Sequence, residues 1–432
     1  MGACWSSGYC VALAPDFGVS DSYKLVRHVG GGGEAEVWLG EELSTKERFA
    51  LKMIPRNLKA WQATAVAREV QCSLELGATH VNVIRPHELL LTKTHVVLAT
   101  QYARGGTLSA YCEKHHIDEP TACYFFRQFV AALAHCHARK ICYRDVKLDN
   151  MLLDDATPPN LQLCDFGVAR RWTDGGGSGK LGKMNTLAGT PGFLAPQVLG
   201  VLFEGNGGSG YDGAAADVWS AGVVLVVMLL HHLPFGYDSI ASSLEGPGAL
   251  RTAWETELRM RWRAGDVALT RALSADALDL LDRMLEPDER KRITMDGVRA
   301  HAWFKQPLPP RMEAALAAQA REQGKLDGCD AECADLHGTD AAIEELCMKA
   351  LSKGVGQNGI EMRLGLVPDD CRRRSLEASR RSLAAEGAAK GESADGAMER
   401  SKVMRAKEEG GLTSHFAHPI DAAFRRREAK AK

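Results

Sequence analysis

Four polar residues at fixed spacing carry the most legible chemistry in this chain. Asp145, Lys147 and Asn150 lie within Tyr143-Arg144-Asp145-Val146-Lys147-Leu148-Asp149-Asn150, and Asp165 follows fifteen residues later in Asp165-Phe166-Gly167. A carboxylate at Asp145 can accept the proton of an attacking hydroxyl, and the Lys147 ammonium can neutralise a phosphoryl group in transit. The Asn150 amide and the Asp165 carboxylate can hold magnesium against nucleotide oxygens. Asp145 and Lys147 flank a single residue, so in an extended loop their side chains point the same way. The reaction that calls for this set is transfer of a phosphoryl group from ATP to an alcohol.

Two upstream features would serve the same nucleotide. Val29-Gly30-Gly31-Gly32-Gly33-Glu34-Ala35-Glu36-Val37 lies between two predicted strands, and its glycines let backbone amides approach phosphate oxygens closely. Four glycines between strands also make a plain hairpin, and Glu34 at the tip sets a negative charge where phosphates would sit, so weakened ATP binding is expected. Lys52, in Phe49-Ala50-Leu51-Lys52, sits among alternating apolar neighbours, where an inward-facing ammonium is costly unless paired. Glu69, on the first predicted helix, is the candidate partner. A surface lysine and a surface glutamate are the alternative.

The elements that must hold these groups follow from periodicity. Residues 24–29 and 48–54 alternate, 37–39 follow the glycines, and strands resume near 87–91 and 95–100. One helix, 61–76, interrupts them; it is rich in Ala, Glu, Gln and Leu, with no internal Gly or Pro. Gly105-Gly106 break the chain, and helical patterns then dominate: 121–138, with Phe125, Phe126, Phe129, Val130 and Leu133 on one face, and later 215–230, 250–263 and 275–285. The expected architecture is α+β: a β-rich small lobe joined by a short hinge to a helical large lobe, with a ligand cleft between them.

At 432 residues the chain exceeds one compact core, so two or three folding units are expected. A hydrophobic content of 45% and a charged content of 25% suit a globular protein, and a net charge of -2 argues against nucleic acid as a partner. Twelve scattered cysteines read as thiols of a reducing compartment, which points to the cytoplasm and allows the nucleus. Cys329 and Cys333 lack a second pair and are not read as a zinc site. The longest apolar run, 221–230, is half the roughly 20 residues of a membrane span, so it reads as a buried core helix. Met1-Gly2-Ala3-Cys4-Trp5-Ser6 fits the myristoylation pattern, with Cys4 and Cys10 available for palmitate. Membrane anchoring through Gly2 and Cys4 is one expectation for the leader 1–22, and an unmodified flexible leader is the other.

Taken together, these strings resemble eukaryotic protein kinases over residues 23–304. Gly30, Gly32 and Val37 fit the family's glycine-rich loop, with Ala35 in place of its third glycine. Gly189-Thr190-Pro191-Gly192-Phe193-Leu194-Ala195-Pro196-Gln197 resembles the end of the activation segment, with Gln197 where the family has a glutamate that pairs with an arginine, here Arg292. Asp217 matches the aspartate that braces the catalytic loop. The resemblance implies a bilobal kinase fold, with an N-lobe over 23–100, a hinge over 101–106 and a C-lobe over 107–304. ATP and magnesium are its implied cofactors, and protein serine and threonine hydroxyls its implied substrates. It implies Asp145 and Lys147 as catalytic residues and Asn150 and Asp165 as metal ligands. Nucleotide contacts would come from the loop Val29 to Val37, from Ala50, Lys52 and Glu69, and from Asp149 and Cys164. At the hinge they would come from Thr100 as gatekeeper and from Gln101, Tyr102 and Ala103. Cys164, facing the nucleotide, would either be a small apolar filler or react with thiol-directed ligands. Thr107 stands where a ribose-contacting glutamate is common. Thr186 and Thr190 are the implied regulatory positions. A phosphate on Thr186, set by an upstream kinase and removed by a phosphatase, would pair with Arg144.

Within the kinases, four strings resemble the plant and algal sucrose-nonfermenting-related kinases of subclass 2, an osmotic-stress group. They are Ala134-His135-Cys136-His137 before the catalytic loop, Leu163-Cys164 before Asp165, Tyr211-Asp212-Gly213 before Asp217-Val218-Trp219-Ser220, and Trp303-Phe304-Lys305-Gln306-Pro307-Leu308-Pro309. The resemblance implies a monomer acting in stress signalling. It also implies a tail helix near 340–352 that packs on the small lobe's helix, where Ile343, Leu346, Cys347, Ala350 and Leu351 form one stripe. Most of the remainder of 305–432 is expected to be solvated or disordered, and Arg372-Arg373-Arg374-Ser375 reads as a solvated charge run or else a basophilic phosphosite. Two other readings stand beside catalysis: a weakly active pseudokinase scaffold, encouraged by Glu34, Ala35 and Gln197, and a membrane-tethered adaptor acting through its tail.

Overall fold

Alternation of buried and exposed residues along β3 (Arg48–Pro55) sets the geometry of the small lobe. Phe49, Leu51 and Met53 enter a core with Tyr23, Leu90, Val97 and Ala99, which leaves Ala50 and Lys52 on the opposite face. The computed structural model describes residues 17–31, 35–56, 60–172, 183–204, 210–234, 273–327, 336–350 and 360–366. All belong to the first of two compact units, Met1–Val367. Strand β3 pairs with β2 (Glu36–Glu42), which pairs with β1 (Tyr23–Gly31). On its other side it pairs with β5 (His95–Gln101), which pairs with β4 (Pro86–Thr92), all antiparallel.

Helix α1 (Ala60–Gly77) lies on this sheet through Val66, Ala67, Val70 and Leu74, packed against Leu89, Leu91, Val96 and Leu98. Its last residue, Gly77, has to be a glycine, because a side chain there would meet the Ile84 carbonyl oxygen at 2.3 Å.

After β6 (Gly106–Thr107) the chain turns helical. Thr107 caps α2 (Leu108–Lys114) by accepting from Ala110 N at 3.1 Å, and Asp118 caps α3 (Glu119–Ala138) by accepting from Thr121 N at 2.9 Å. The face expected of α3 is buried: Phe125, Phe126, Phe129, Val130 and Leu133 lie in the core. Short strands frame the catalytic loop. They are β7 (Ile141–Cys142), β8 (Met151–Leu153), β9 (Leu161–Leu163) and β10 (Arg170–Arg171), with β10 pairing β7 and β8 lying between β6 and β9. Helices α4 (Pro196–Glu204), α5 (Gly213–Leu230), α6 (Ala275–Met284) and α7 (Met295–Ala300) complete the large lobe. Helix α5 follows the expected 215–230 to within two residues. Among the described residues it alone is long and apolar enough to cross a membrane, yet most of it is buried as the core of the lobe.

The tail departs from expectation in two places. Residues 310–327, read as solvated chain, form helix α8 (Pro310–Asp327), and residues 360–365 form strand β11 (Ile360–Gly365). Helix α8 buries no residue fully and is held by amide hydrogen bonds instead. Gln319 accepts from Asn82 Nδ2 at 2.9 Å and donates to Gln128 Oε1 at 2.8 Å; Gln323 accepts from Val81 N at 3.0 Å and donates to the Thr79 carbonyl at 2.9 Å. Strand β11 pairs antiparallel with β4 and makes the sheet six-stranded, in the order β1-β2-β3-β5-β4-β11. Between them, α9 (Leu336–Lys349) follows the expectation: Ile343, Leu346, Cys347 and Ala350 are buried against α1. The described cysteines form no disulfides. Gly2, Cys4, Cys10, Gly32, Gly33, Glu34, the expected helix 250–263, Cys329, Cys333, Leu351 and the Arg372–Ser375 run lie outside the described residues.

Candidate active site

Strand β3 and helix α1 bring Lys52 and Glu69 into an ion pair, and Lys52 Nζ also lies 3.2 Å from Asp165 Oδ1. Burial alone would lower the Lys52 pKa. Glu69 and Asp165 outweigh it and raise the ammonium above its ordinary value. For Asp165 the balance mirrors this: burial would raise its carboxyl, but Lys52 holds it below the usual carboxylate range. The surface alternative for Lys52 and Glu69 is therefore set aside.

The catalytic loop is braced from α5. The buried Asp217 accepts from Tyr143 N at 2.9 Å and from Arg144 N at 2.8 Å, and His137 Nε2 lies 2.8 Å from its second oxygen. Arg144 and Asp165 take left-handed backbone conformations, φ 72 and 59. Bracing by neighbouring contacts keeps a non-glycine residue in that region. Within the loop, Lys147 Nζ sits 2.9 Å from Asp145 Oδ2, and both protons of the Asn150 amide go to Asp145, to its carbonyl and to Oδ2, each at 2.9 Å. Burial would lower the Lys147 ammonium; Asp145 overrides it and raises its pKa.

Thr190, expected only as a regulatory position, joins this cluster. Its hydroxyl donates to Asp145 Oδ1 at 2.8 Å and accepts from Lys147 Nζ at 3.1 Å. His137 and Thr190 were not legible as neighbours of the loop from spacing alone, because they come from an upstream helix and a distant segment.

The Asn150 side chain offers its oxygen as the remaining ligand atom, and the Cys164 amide donates to the Asn150 carbonyl at 3.0 Å, one residue from Asp165. An amide oxygen and an ionised carboxylate are the hard oxygen donors that suit magnesium. The residues present fit that ion.

Around them, Val37 pairs with Lys52 and Ala50 with Thr100 across the sheet. Gly31 approaches the Ala35 carbonyl so closely that a side chain there would stand 2.9 Å from it. Val29 is exposed, and Glu36 accepts from Trp38 Nε1 at 3.0 Å. Gln101 N bonds the Arg85 carbonyl at 2.9 Å, the Tyr102 hydroxyl accepts from Arg27 at 2.8 Å, and Ala103 is buried. Asp149 is exposed on a single 3-10 turn, Leu148–Asn150. At Cys164, burial and then the neighbouring Asp165 raise the thiol, which disfavours the nucleophilic thiolate.

In the activation segment Arg144 Nη2 donates to both the carbonyl and the hydroxyl of Thr186 at 2.8 Å. Arg170 reaches the same hydroxyl at 3.2 Å, and the Tyr211 hydroxyl donates to the carbonyl at 3.0 Å. Arg170 was not singled out in the sequence; the β10–β7 pairing brings it there.

The protein kinase domain family matches residues 23–304. Serine/threonine-protein kinase SRK2B of Arabidopsis thaliana is 36% identical over 306 residues, covering 70% of this chain and 77% of that protein. SRK2A of the same plant is 35% identical over 305 residues, with 70% and 77% covered. SAPK6 of Oryza sativa subsp. japonica is 35% identical over 302 residues, with 70% and 75% covered. With the catalytic loop, the Lys52–Glu69 pair and these relatives in agreement, the chain belongs to the protein kinase family, within its sucrose-nonfermenting-related subclass 2.

Proposed function

We propose that this chain transfers the γ-phosphoryl group of ATP to serine and threonine hydroxyls of protein substrates, with Asp145 as the base. One observation carries the reading: an alcohol already donates to Asp145 Oδ1 at 2.8 Å, that of Thr190, with the Lys147 ammonium 3.1 Å from the same hydroxyl. A substrate hydroxyl in that position would give its proton to Asp145 as its oxygen attacks the γ-phosphorus. The bond from that phosphorus to the bridging oxygen then breaks, and ADP leaves. Lys147 offsets charge on the moving phosphoryl group, and Lys52, oriented by Glu69, holds the remaining phosphates. Asn150 and Asp165 would hold magnesium, which supplies charge neutralisation along the phosphate chain. Adenine would lie against Val29, Ala50 and the hinge 101–103.

The subclass supports a role in stress or osmotic signalling, switched on by a phosphate at Thr186. Neither the relatives nor the described residues favour a scaffold without catalysis. The test compares wild type with Asp145→Asn for transfer of radiolabelled phosphate to a generic basic protein. Loss of a positioned base lowers the rate by about a hundredfold or more; equal rates would refute the assignment.

A further inference from the structure

Besides its apolar stripe and the pairing of β11 with β4, the tail is tied to the small lobe by side chains, among them Arg363 with Glu88 and the buried Arg56. Arg56 follows β3, four residues beyond Lys52, and its side chain is 4% exposed. Nη1 donates to the Thr92 carbonyl at the end of β4 and to Glu361 Oε2 on β11, both at 2.6 Å. Nη2 donates to the carbonyl of Lys349, the last residue of α9, at 3.1 Å. The final carbonyls of a helix have no partner within it, and a cation there also meets the negative end of the helix dipole. One planar guanidinium thus ties the end of α9, the strand β11 and the sheet edge together. The point charge of a lysine could not span all three.

The contacts continue inward. Helix α9 sets Ile343, Leu346, Cys347 and Ala350 on the Val66, Ala67, Val70 and Leu74 face of α1, and α1 carries Glu69, the partner of Lys52. Close-packed side chains transmit displacement, so a loosened α9 frees α1 to carry Glu69 away from Lys52.

We propose that Arg56 is a positioning residue for phosphoryl transfer. By latching α9 and β11 onto the small lobe, it sets where α1 holds Glu69. The proposal rests on the reading of Lys52 and Glu69 given above and goes beyond it by assigning Arg56, Glu361 and the Lys349 carbonyl a part in the reaction.

The test uses the full chain. Arg56→Gln, Arg56→Lys and Glu361→Gln are made in the wild-type and the Glu69→Gln backgrounds, then compared in ATP kinetics and amide hydrogen exchange. Arg56→Gln is expected to lower kcat/KM for ATP about tenfold, and to speed exchange in α9, β11 and α1 while α3 and α5 keep their protection. Arg56→Lys recovers part of the loss. In the Glu69→Gln background Arg56→Gln still loosens the tail but costs no further activity. Unchanged exchange in α9 and β11 overturns the latch. A loosened tail with unchanged kcat/KM, an equal further loss in both backgrounds, or loss of protection throughout the large lobe overturns the positioning role. Exchange needs no turnover, so failure of the latch is distinguishable from failure of the catalytic reading, which Asp145→Asn tests alone.

Discussion

Arg292 donates to the Gln197 side-chain oxygen at 3.2 Å, while the Gln197 amide nitrogen lies buried without a partner. Burial brings the Arg292 guanidinium down to about 10, even with Glu289 and Glu286 nearby. A carboxylate at position 197 would remove the orphaned donor and pair with the cation. Gln197→Glu is expected to add about 1 kcal/mol of stability, or roughly 2–4 °C in the thermal midpoint. A midpoint that stays put or falls in calorimetry would show that the neutral amide is not a weak point of the segment.

Thr186 lies where two guanidinium groups converge, and burial followed by repulsion from Arg144 lowers the pKa of Arg170. A phosphate there would relieve the like-charge contact and gain charge-assisted hydrogen bonds. Thr186→Ala is expected to lower turnover severalfold relative to phosphorylated wild type. Full turnover from a completely dephosphorylated preparation would contradict this.

The raised Cys164 thiol predicts resistance to alkylation. Iodoacetamide at pH 7.5 should leave the Cys164 peptide unlabelled in the native protein and label it in urea, as read by mass spectrometry. Native labelling at the rate of an ordinary free thiol would show that the thiol is not raised.

His80 and His135 make stability depend on pH. Their rings lie 4.6 Å apart; His135 Nδ1 takes a hydrogen bond from Arg139 at 2.9 Å, and His80 Nδ1 takes one from the Asn82 amide at 3.1 Å. Both rings are thereby fixed as neutral Nε2–H forms. Burial, then Arg139, lowers His80 to about 4 despite Asp327, and burial, His80 and Arg139 lower His135 to about 3. Below the ordinary value of 6.5 the unfolded chain takes up protons that the folded one refuses. The pair costs no stability well above pH 6.5, and stability is lost as pH falls through 6.5 toward about 4 for His80 and about 3 for His135. Urea titrations at pH 7.5 and 5 should show this loss, and His135→Gln should reduce it. An unchanged loss would clear the pair of responsibility.

The small lobe, the catalytic loop and α9 were legible because each follows a strong local rule: period-two burial in β3, fixed spacing from Asp145 to Asp165, and an apolar stripe at Ile343, Leu346, Cys347 and Ala350. Helix α8 was missed because amide pairs from Gln319 and Gln323 replace an apolar face. Its signals were propensity and Pro310 at the first position, not periodicity. Strand β11 does alternate, with Ile360, Met362 and Leu364 on the more buried side, but polar surroundings outweighed six residues. Thr190 beside Asp145 and Arg170 beside Thr186 depend on long-range folding that no spacing encodes.

Strand β11 covers the edge of β4, and it lies well past residue 304, where the matched family ends. A recombinant fragment trimmed to that limit would leave β4 with bare amides and carbonyls and uncover the Val66–Leu74 side of α1. Both invite chain-to-chain association. Purification and crystallisation of the trimmed piece would thus report on clumping before enzymology, and a soluble preparation should carry the chain through Leu366.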